Sequence, residues 1–316
     1  MTSSLSRHSM LASLSALAAT VALSPATDAQ SPQPLRVGCA PTDTYAQAYF
    51  AKDMGFFDAA GLDVTVETLA SGAAITAALA GGSLDVGCGS PIQVGTAYER
   101  GVPFAFFAPG GIFAQNSPTT LLMVAKASPL TKPADLPGKT IAADALGSMT
   151  TVAIDAWLAH ERIDPTSIKL VEMPFASMGA ALDAGRVDAA FIAEPSLTAA
   201  RAVAREFANP FASIASRFFI SSWFATRPWL ESNRAVAKKF LTVMQRTSAW
   251  ANRNQATSGP ILGAYTKLSP ETLASMRRAT YAESLDPSLL QPVLDWAVKG
   301  QLLKTPLAAD DLIFRA

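Results

Sequence analysis

The chain has 316 residues; half are hydrophobic and 16% charged, an ordinary globular composition with core enough for two medium domains or one large one. Lys plus Arg and Asp plus Glu number 25 each, and this zero balance argues against a nucleic-acid surface or a binder of acidic membranes, both of which need clustered positive charge. Small molecules and proteins remain as partners.

Residues 1–29 read as a secretory signal peptide. Arg7 and His8 make a weakly basic start, Leu11–Leu23 is an apolar run too short to span a bilayer, and small residues suit cleavage after Ala26 or Ala29. Arg36 stands three residues before Cys39, where a lipid-attachment signal wants an aliphatic residue, so an exported protein without a lipid anchor is expected. No later stretch reaches the ~18 uninterrupted apolar residues of a transmembrane helix.

PLRVGCAP (34–41) is a short apolar run closed by Pro41, a buried strand. TDTYAQAYFAKDMG follows with Tyr49, Phe50 and Met54 at helical spacing and Gly55 as C-cap. In LDVTVETL the apolar Leu62, Val64 and Val66 alternate with polar residues, which predicts a half-exposed edge strand. ASGAAITAALAGG is a second helix, opened by Ser71-Gly72, and LDVGCGSP a third strand, in the order 2-1-3. Strand–helix alternation of this kind gives a parallel sheet with helices on both faces. The pattern then restarts. TTLLMVAKA (119–127) and LPGKTIAAD (136–144) are strands, GSMTTVAIDAWLAHERI a helix, IKLVEMP a strand, ASMGAALDAG a helix and RVDAAFIAEP a strand. One phrase occurs in both halves: ALAGGSLD at 78–85 and ALDAGRVD at 181–188. Each copy reads as a helix end, a capping glycine (Gly82 or Gly185) and the start of the next parallel strand. The final third is helical after one more strand in FFISSWFAT (218–226). Val236, Phe240, Val243 and Met244 form one stripe, and Ser269-Pro270 and Asp286-Pro287 open two further helices. Without linkers, the two lobes are expected to join through extended segments near Thr119–Ala125 and Phe218–Ala225. Lobe I would hold residues 33–118 plus 223–316, and lobe II residues 119–222.

Chemistry-bearing residues are few. Once His8 is removed with the leader, His160 is the remaining histidine, placed at a helix end. With two cysteines, nitrogen and sulfur ligands are too few for a zinc or haem site, and no cofactor is expected, although an oxygen-only metal site stays open. Cys39 and Cys88 fall at matching places in neighbouring strands; bridge geometry there is poor, which favours two buried thiols over a disulfide. Ligands of open parallel sheets gather at the C-terminal strand edges. The residues found there are Thr42, Asp43, Thr44 and Tyr45, then Ser71-Gly72 and Ser90, and in the second half Gly147, Ser148, Met149, Thr150 and Glu194. Two hydroxyl-bearing helix starts, at Ser71 and Ser148, present unpaired N–H groups that suit an anion. Asp43 and Glu194 would repel one, unless the ligand is a zwitterion or an amino-heterocycle, or the carboxylates point elsewhere.

KDMGFFDAAGLDVTVE, SGAAITAALAGGSLDVGCGSP, DLPGKTIA, ALDAGRVDAAFIAEPSL and WFATRPWLESNRAVAKKFL together resemble the periplasmic substrate-binding proteins of the nitrate/sulfonate/taurine class of ABC importers, whose relatives bind thiamine-pyrimidine precursors. The resemblance implies an α/β type II periplasmic binding fold: two Rossmann-like lobes, a two-strand hinge and a ligand cleft between them. It implies a monomeric receptor for a small solute, partnered by the transmembrane subunits of an ABC permease, without nucleic acid and without catalysis. Its pocket positions fall on the strand-edge residues named above. Ala193-Glu194-Pro195 departs from the aromatic-and-Asp pattern of sulfonate binders, which leaves specificity open. Pyrimidine-synthase enzymes and sensory adaptors share the scaffold and are the competing readings.

Overall fold

The computed structural model describes residues 34–315, so the leader reading of 1–29 lies outside the described residues. Thirteen strands run in chain order as β1 Leu35–Cys39, β2 Val64–Thr68, β3 Val86–Gly89, β4 Phe104–Ala108, β5 Gly111–Ala114, β6 Thr120–Ala125 and β7 Thr140–Ala143. They continue as β8 Lys169–Glu172, β9 Ala189–Ala193, β10 Ala204–Ala208, β11 Arg217–Phe219, β12 Ser222–Thr226 and β13 Thr280–Tyr281. The first sheet has the order β2-β1-β3-β12-β4 and the second β10-β6-β9-β7-β8. Read from its other end, the second repeats the first: two outer parallel strands, a third parallel strand, an antiparallel return, and a closing strand. β2 is an edge strand whose Thr65, Glu67 and Thr68 face water, as the alternation in LDVTVETL predicts.

The repeated phrase has the same geometry in both halves. Gly82 and Gly185 take left-handed φ angles of +73° and +65°, which glycine adopts without cost. Three residues later an aspartate enters the strand and clips its parallel neighbour. Asp85 N–H donates to the Arg36 carbonyl (2.9 Å), and its carboxylate accepts from Arg36 N–H (2.9 Å). Asp188 does the same with Thr140, at 2.9 and 2.8 Å. Both clips lie at the N-terminal strand ends, which leaves the C-terminal ends free for other work.

Two expectations change. FFISSWFAT is not one strand but two, β11 and β12, which belong to different sheets. The segment Thr119–Ala125 is no connector: β6 lies inside the second sheet, and the chain passes between lobes earlier, along β5, which pairs with β11 and β13 in a small antiparallel sheet. The crossing is tight. A Cβ on Gly110 would stand 2.3 Å from the Ser221 carbonyl oxygen, so only glycine lets the two passages touch. The helix that Ser269 caps stops at Ser275, because the next residues leave it to bridge the lobes.

Packing follows the layers. Phe57, Phe107, Trp223 and Phe240 fill the space between the first sheet and the long helix Arg234–Arg253, with Val243 and Met244 on the buried stripe. At the hinge, Phe113 of β5 stacks on Phe218 of β11 (4.9 Å), and both meet Phe211, which touches Phe191 of β9. The hinge strands are thereby packed onto the second lobe.

Candidate functional site

The C-terminal ends of β1 and β3 and the start of the antiparallel β12 share one edge of the first sheet. Thr42 follows β1; its Oγ1 is buried and has no hydrogen-bond partner. Ser222 opens β12 opposite Gly89, and its Oγ is likewise buried and unpartnered. Its neighbour Ser221 is satisfied, accepting from Gly111 N–H (3.1 Å) and donating to the Thr44 carbonyl (2.6 Å). Ser90 caps the helix Pro91–Glu99 through a reciprocal box, its Oγ accepting from Gln93 N–H (3.3 Å) and its own N–H donating to Gln93 Oε1 (3.0 Å). The Gln93 amide lies over Gly72, where a Cβ would come within 2.5 Å of it. The helix starts at Ser71 and Ser90 are thus drawn together, Ser71 capping Ala74 N–H at 3.3 Å and facing water.

On the second lobe, Ser148 caps the helix Met149–His160 through Thr150 N–H (3.3 Å). Ser148 Oγ and Thr150 Oγ1 both donate to Asp144 Oδ1, the former at 2.7 Å. Gly147 is left-handed (φ +71°) and abuts Leu302, which extends from the C-terminal helix Pro287–Lys299. Met149 and Thr150 are buried. Tyr45 is the first-lobe residue that feels this cluster: burial raises its phenol pKa, and the fields of Cys88 and Asp144 raise it further.

Of the alternatives left open for Asp43 and Glu194, the structure takes the one in which both carboxylates are engaged within the protein. Asp43 is buried in a two-pronged pair with Arg278 (2.8 and 2.9 Å) and also accepts from Ala279 N–H (2.6 Å). The Tyr281 hydroxyl donates to its backbone carbonyl. Glu194, also buried, accepts from Thr198 N–H (3.0 Å), the Thr198 hydroxyl (2.9 Å) and Arg277 N–H (3.3 Å). Burial still pushes its carboxyl above the ordinary value, against these hydrogen bonds. One short strap, Met276–Ala279, therefore holds Asp43 in the first lobe and Glu194 in the second, and Arg277 adds a bond to the Pro118 carbonyl (3.3 Å). Nothing in the repetitive chemistry of SMRRATYA marks Arg278 as buried. A signal for Ser222 was present in FFISSWFAT, where two polar residues interrupt an apolar run; of the two, Ser221 is satisfied and Ser222 is not.

The strand-edge residues thus form two groups, one of Thr42–Tyr45, Ser71, Gly72 and Ser90, the other of Gly147–Thr150, with Glu194 on the hinge side. Two depressions are formed by other residues. One of about 490 Å³ is on the second lobe beside Lys132, Arg162 and Asp164, and one of about 440 Å³ runs between the helices Phe175–Asp183 and Ser196–Ala200 and the residues Leu268 and Thr272.

Reactive side chains are remote or masked. His160 is 71% exposed at the far end of its helix, roughly 18 Å along the axis from Ser148. Cys39 and Cys88 are free and buried; burial drives the Cys39 thiol well up and the Cys88 thiol to about 12.

A family model described as NMT1/THI5 like matches residues 43–258. None of the curated proteins compared with the chain matches it. Among solved structures, the periplasmic aliphatic sulphonate binding protein SsuA from Escherichia coli is 22% identical, with a TM-score of 0.75 over 90% of this chain and 93% of that one. The alkanesulfonate-binding protein SsuA from Xanthomonas axonopodis pv. citri, bound to MOPS, is 22% identical, with a TM-score of 0.73 over 91% of this chain and 100% of that one. The desulfurization enzyme DSZB is 16% identical, with a TM-score of 0.65 over 90% and 96%. At such identities the likeness is one of fold.

Proposed function

We propose, on the premise that the chain belongs to the NMT1/THI5-like family and carries the fold of SsuA-type periplasmic binding proteins, that it is an exported solute receptor of an ABC importer. It would close two lobes around one small anionic or zwitterionic organic solute of the sulfonate/taurine/nitrate-like class and pass it to a membrane permease. The observation that carries this reading is the pair of buried, unpartnered hydroxyls, Thr42 Oγ1 and Ser222 Oγ, at the ligand-bearing edge of the first sheet. A buried hydroxyl without a partner costs about 1–3 kcal/mol, and a ligand oxygen or nitrogen that reaches it recovers that cost. Helix starts at Ser71, Ser90 and Ser148 supply N–H groups and positive dipole ends for an anionic group. Because Arg278 is committed to Asp43, an anion there would be held by amides and hydroxyls rather than by a guanidinium.

A second reading has its own support. Asp144 presents a carboxylate on the opposing edge, which favours a ligand that also carries N–H donors: a zwitterion such as taurine, or an aminopyrimidine of the thiamine-precursor kind. An enzyme on the same scaffold fits less well, since the described thiols are held protonated and His160 stands apart.

The test is a thermal-shift panel of alkanesulfonates, taurine, nitrate, carboxylates and aminopyrimidines. A true ligand at 100 times its Kd stabilises by about 2.7 kcal/mol and shifts Tm saturably. Thr42→Val is the decisive variant: it removes an unsatisfied group, so the ligand-free Tm holds or rises, while affinity for the hit falls at least about tenfold. A panel with no shift, or a Thr42→Val protein that binds as well as the parent, would refute the assignment.

A further inference from the structure

The longest helix among the described residues, Arg234–Arg253, has no part in the candidate solute site, yet it holds five of the chain's 25 cations and none of its 25 carboxylates. Arg234, Lys238, Lys239, Arg246 and Arg253 are all exposed, and at 3.6 residues per turn they fall within an arc of about 140° along about 28 Å of axis. Among the described residues none of the five is in an ion pair; the adjoining Asp58 faces Lys52 instead, at 4.0 Å. Arg246 lies over the Phe56 ring (4.0 Å) and Arg234 over Phe314 (4.8 Å), which pins two guanidinium groups flat on the surface. Arg234 stands in the first turn, where the macrodipole is positive and a cation is disfavoured, so helix stability does not account for the row. The balanced net charge of the chain conceals this segregation.

We propose that the outer face of Arg234–Arg253 is an electrostatic docking surface for anionic phospholipid headgroups, which lays the protein on the membrane. The shape of the face favours a lipid surface over a protein partner. A specific protein interface centres on aromatic or aliphatic anchors. The large hydrophobics exposed among the described residues are Met54 and Leu146, and neither is on this helix. A broad strip of exposed cations without ion-pair partners instead matches a flat, laterally mobile field of negative charge, at about 1 kcal/mol per Lys or Arg. Such binding is shallow and reversible by salt, as it must be for a protein that also diffuses.

The experiment is co-sedimentation of the full-length mature protein with phosphatidylcholine vesicles, with and without phosphatidylglycerol, at low and high salt. The expected result is binding that requires phosphatidylglycerol and is abolished by salt. Lys238→Gln/Lys239→Gln should lower partitioning roughly 30-fold, Lys238→Arg/Lys239→Arg should retain it, and Lys169→Gln/Lys304→Gln, away from the helix, should leave it unchanged. Solute-induced Tm shifts should be the same in all of them, which separates this proposal from the solute site. Equal sedimentation with both vesicle types or with neither, or an unaffected Lys238→Gln/Lys239→Gln protein of parental Tm, would overturn it. So would salt-sensitive capture by purified permease alone with no binding to vesicles, which would assign the face to a protein partner.

Discussion

Replacing Arg278 by methionine probes the strap that ties the chain's C-terminal third to its start. The guanidinium is 7% exposed and the Asp43 carboxylate 4%. Burial pulls the Arg278 pKa down, and the hydrogen bonds and charge of Asp43 more than reverse that, leaving it raised. Removing one partner of a buried pair typically costs about 3–5 kcal/mol, because the other charge stays behind uncompensated. Here the Asp43 carboxylate keeps Ala279 N–H, and the Tyr281 hydroxyl stays on the Asp43 carbonyl, so the low end, about 3 kcal/mol, is expected. For a domain of this size that is a loss of roughly 6–10 °C in Tm. Urea unfolding followed by circular dichroism measures it, and Asp43→Asn/Arg278→Met closes the double-mutant cycle. The double variant should recover at least about 1 kcal/mol over the sum of the single losses. Additive losses, or an Arg278→Met protein within about 0.5 kcal/mol of the parent, would show that the pair is not what holds the Thr42–Tyr45 turn in place.

Glu194→Gln tests the sign of the hinge carboxyl. Its folded pKa lies above the ordinary value of 4.5, so the unfolded chain releases the proton first and the stability it lends is lost as pH rises through the folded pKa. The unfolding free energy of Glu194→Gln minus that of the parent should therefore increase from pH 4 toward neutrality; a flat or falling difference contradicts the burial argument. The two clips of the repeated phrase should differ in weight. Asp85 takes three bonds from Arg36, through the backbone N–H, Nε (3.0 Å) and Nη2 (2.8 Å), whereas Asp188 takes one from Thr140 N–H, with Lys139 at 3.6 Å. Asp85→Ala is expected to cost about 1–2 kcal/mol after discounting the half-exposed arginine, and Asp188→Ala about 0.5–1 kcal/mol. Equal urea midpoints would mean that the backbone bonds alone carry the clip, and the reverse order would refute the weighting.

What was legible in the sequence is what short-range physics decides. Alternation in LDVTVETL placed an edge strand, serines before small-residue runs placed the caps at Ser71 and Ser148, and two glycine–aspartate phrases announced two sheets of one plan. What escaped depends on partners far away in the chain. The sequence left the engagement of Asp43 open because its partner, Arg278, is 235 residues distant. FFISSWFAT read as one strand because nothing local says that Ser221 must hydrogen-bond Gly111 and Thr44 and so turn the chain from one sheet into another. Net charge is silent in the same way: a sum over the chain carries no information about where the charges lie, and five exposed cations share one helix.

Fold likeness alone does not choose between receptor and catalyst, since SsuA and DSZB share this architecture with the chain. The choice falls to the side chains at the strand edges. Catalysis at neutral pH needs a group whose pKa brings it near ionisation in the reacting position. The groups set beneath the first edge are two thiols and a phenol that burial drives the opposite way, toward protonation, and the one site carboxyl that burial raises, Glu194, is engaged by Thr198 and the Arg277 N–H. What the edges offer instead is fixed hydrogen-bonding capacity: capped helix starts, hydroxyls left without partners, and carboxylates already tied to the hinge strap or to neighbouring hydroxyls. On the receptor reading proposed above, such groups would recognise a molecule without activating it, and would act on it together only when both edges meet across the cleft. Solute affinity should therefore depend on lobe closure, and a thermal shift that vanishes in Thr42→Val while its ligand-free Tm persists is the signature that separates this mode of action from chemistry.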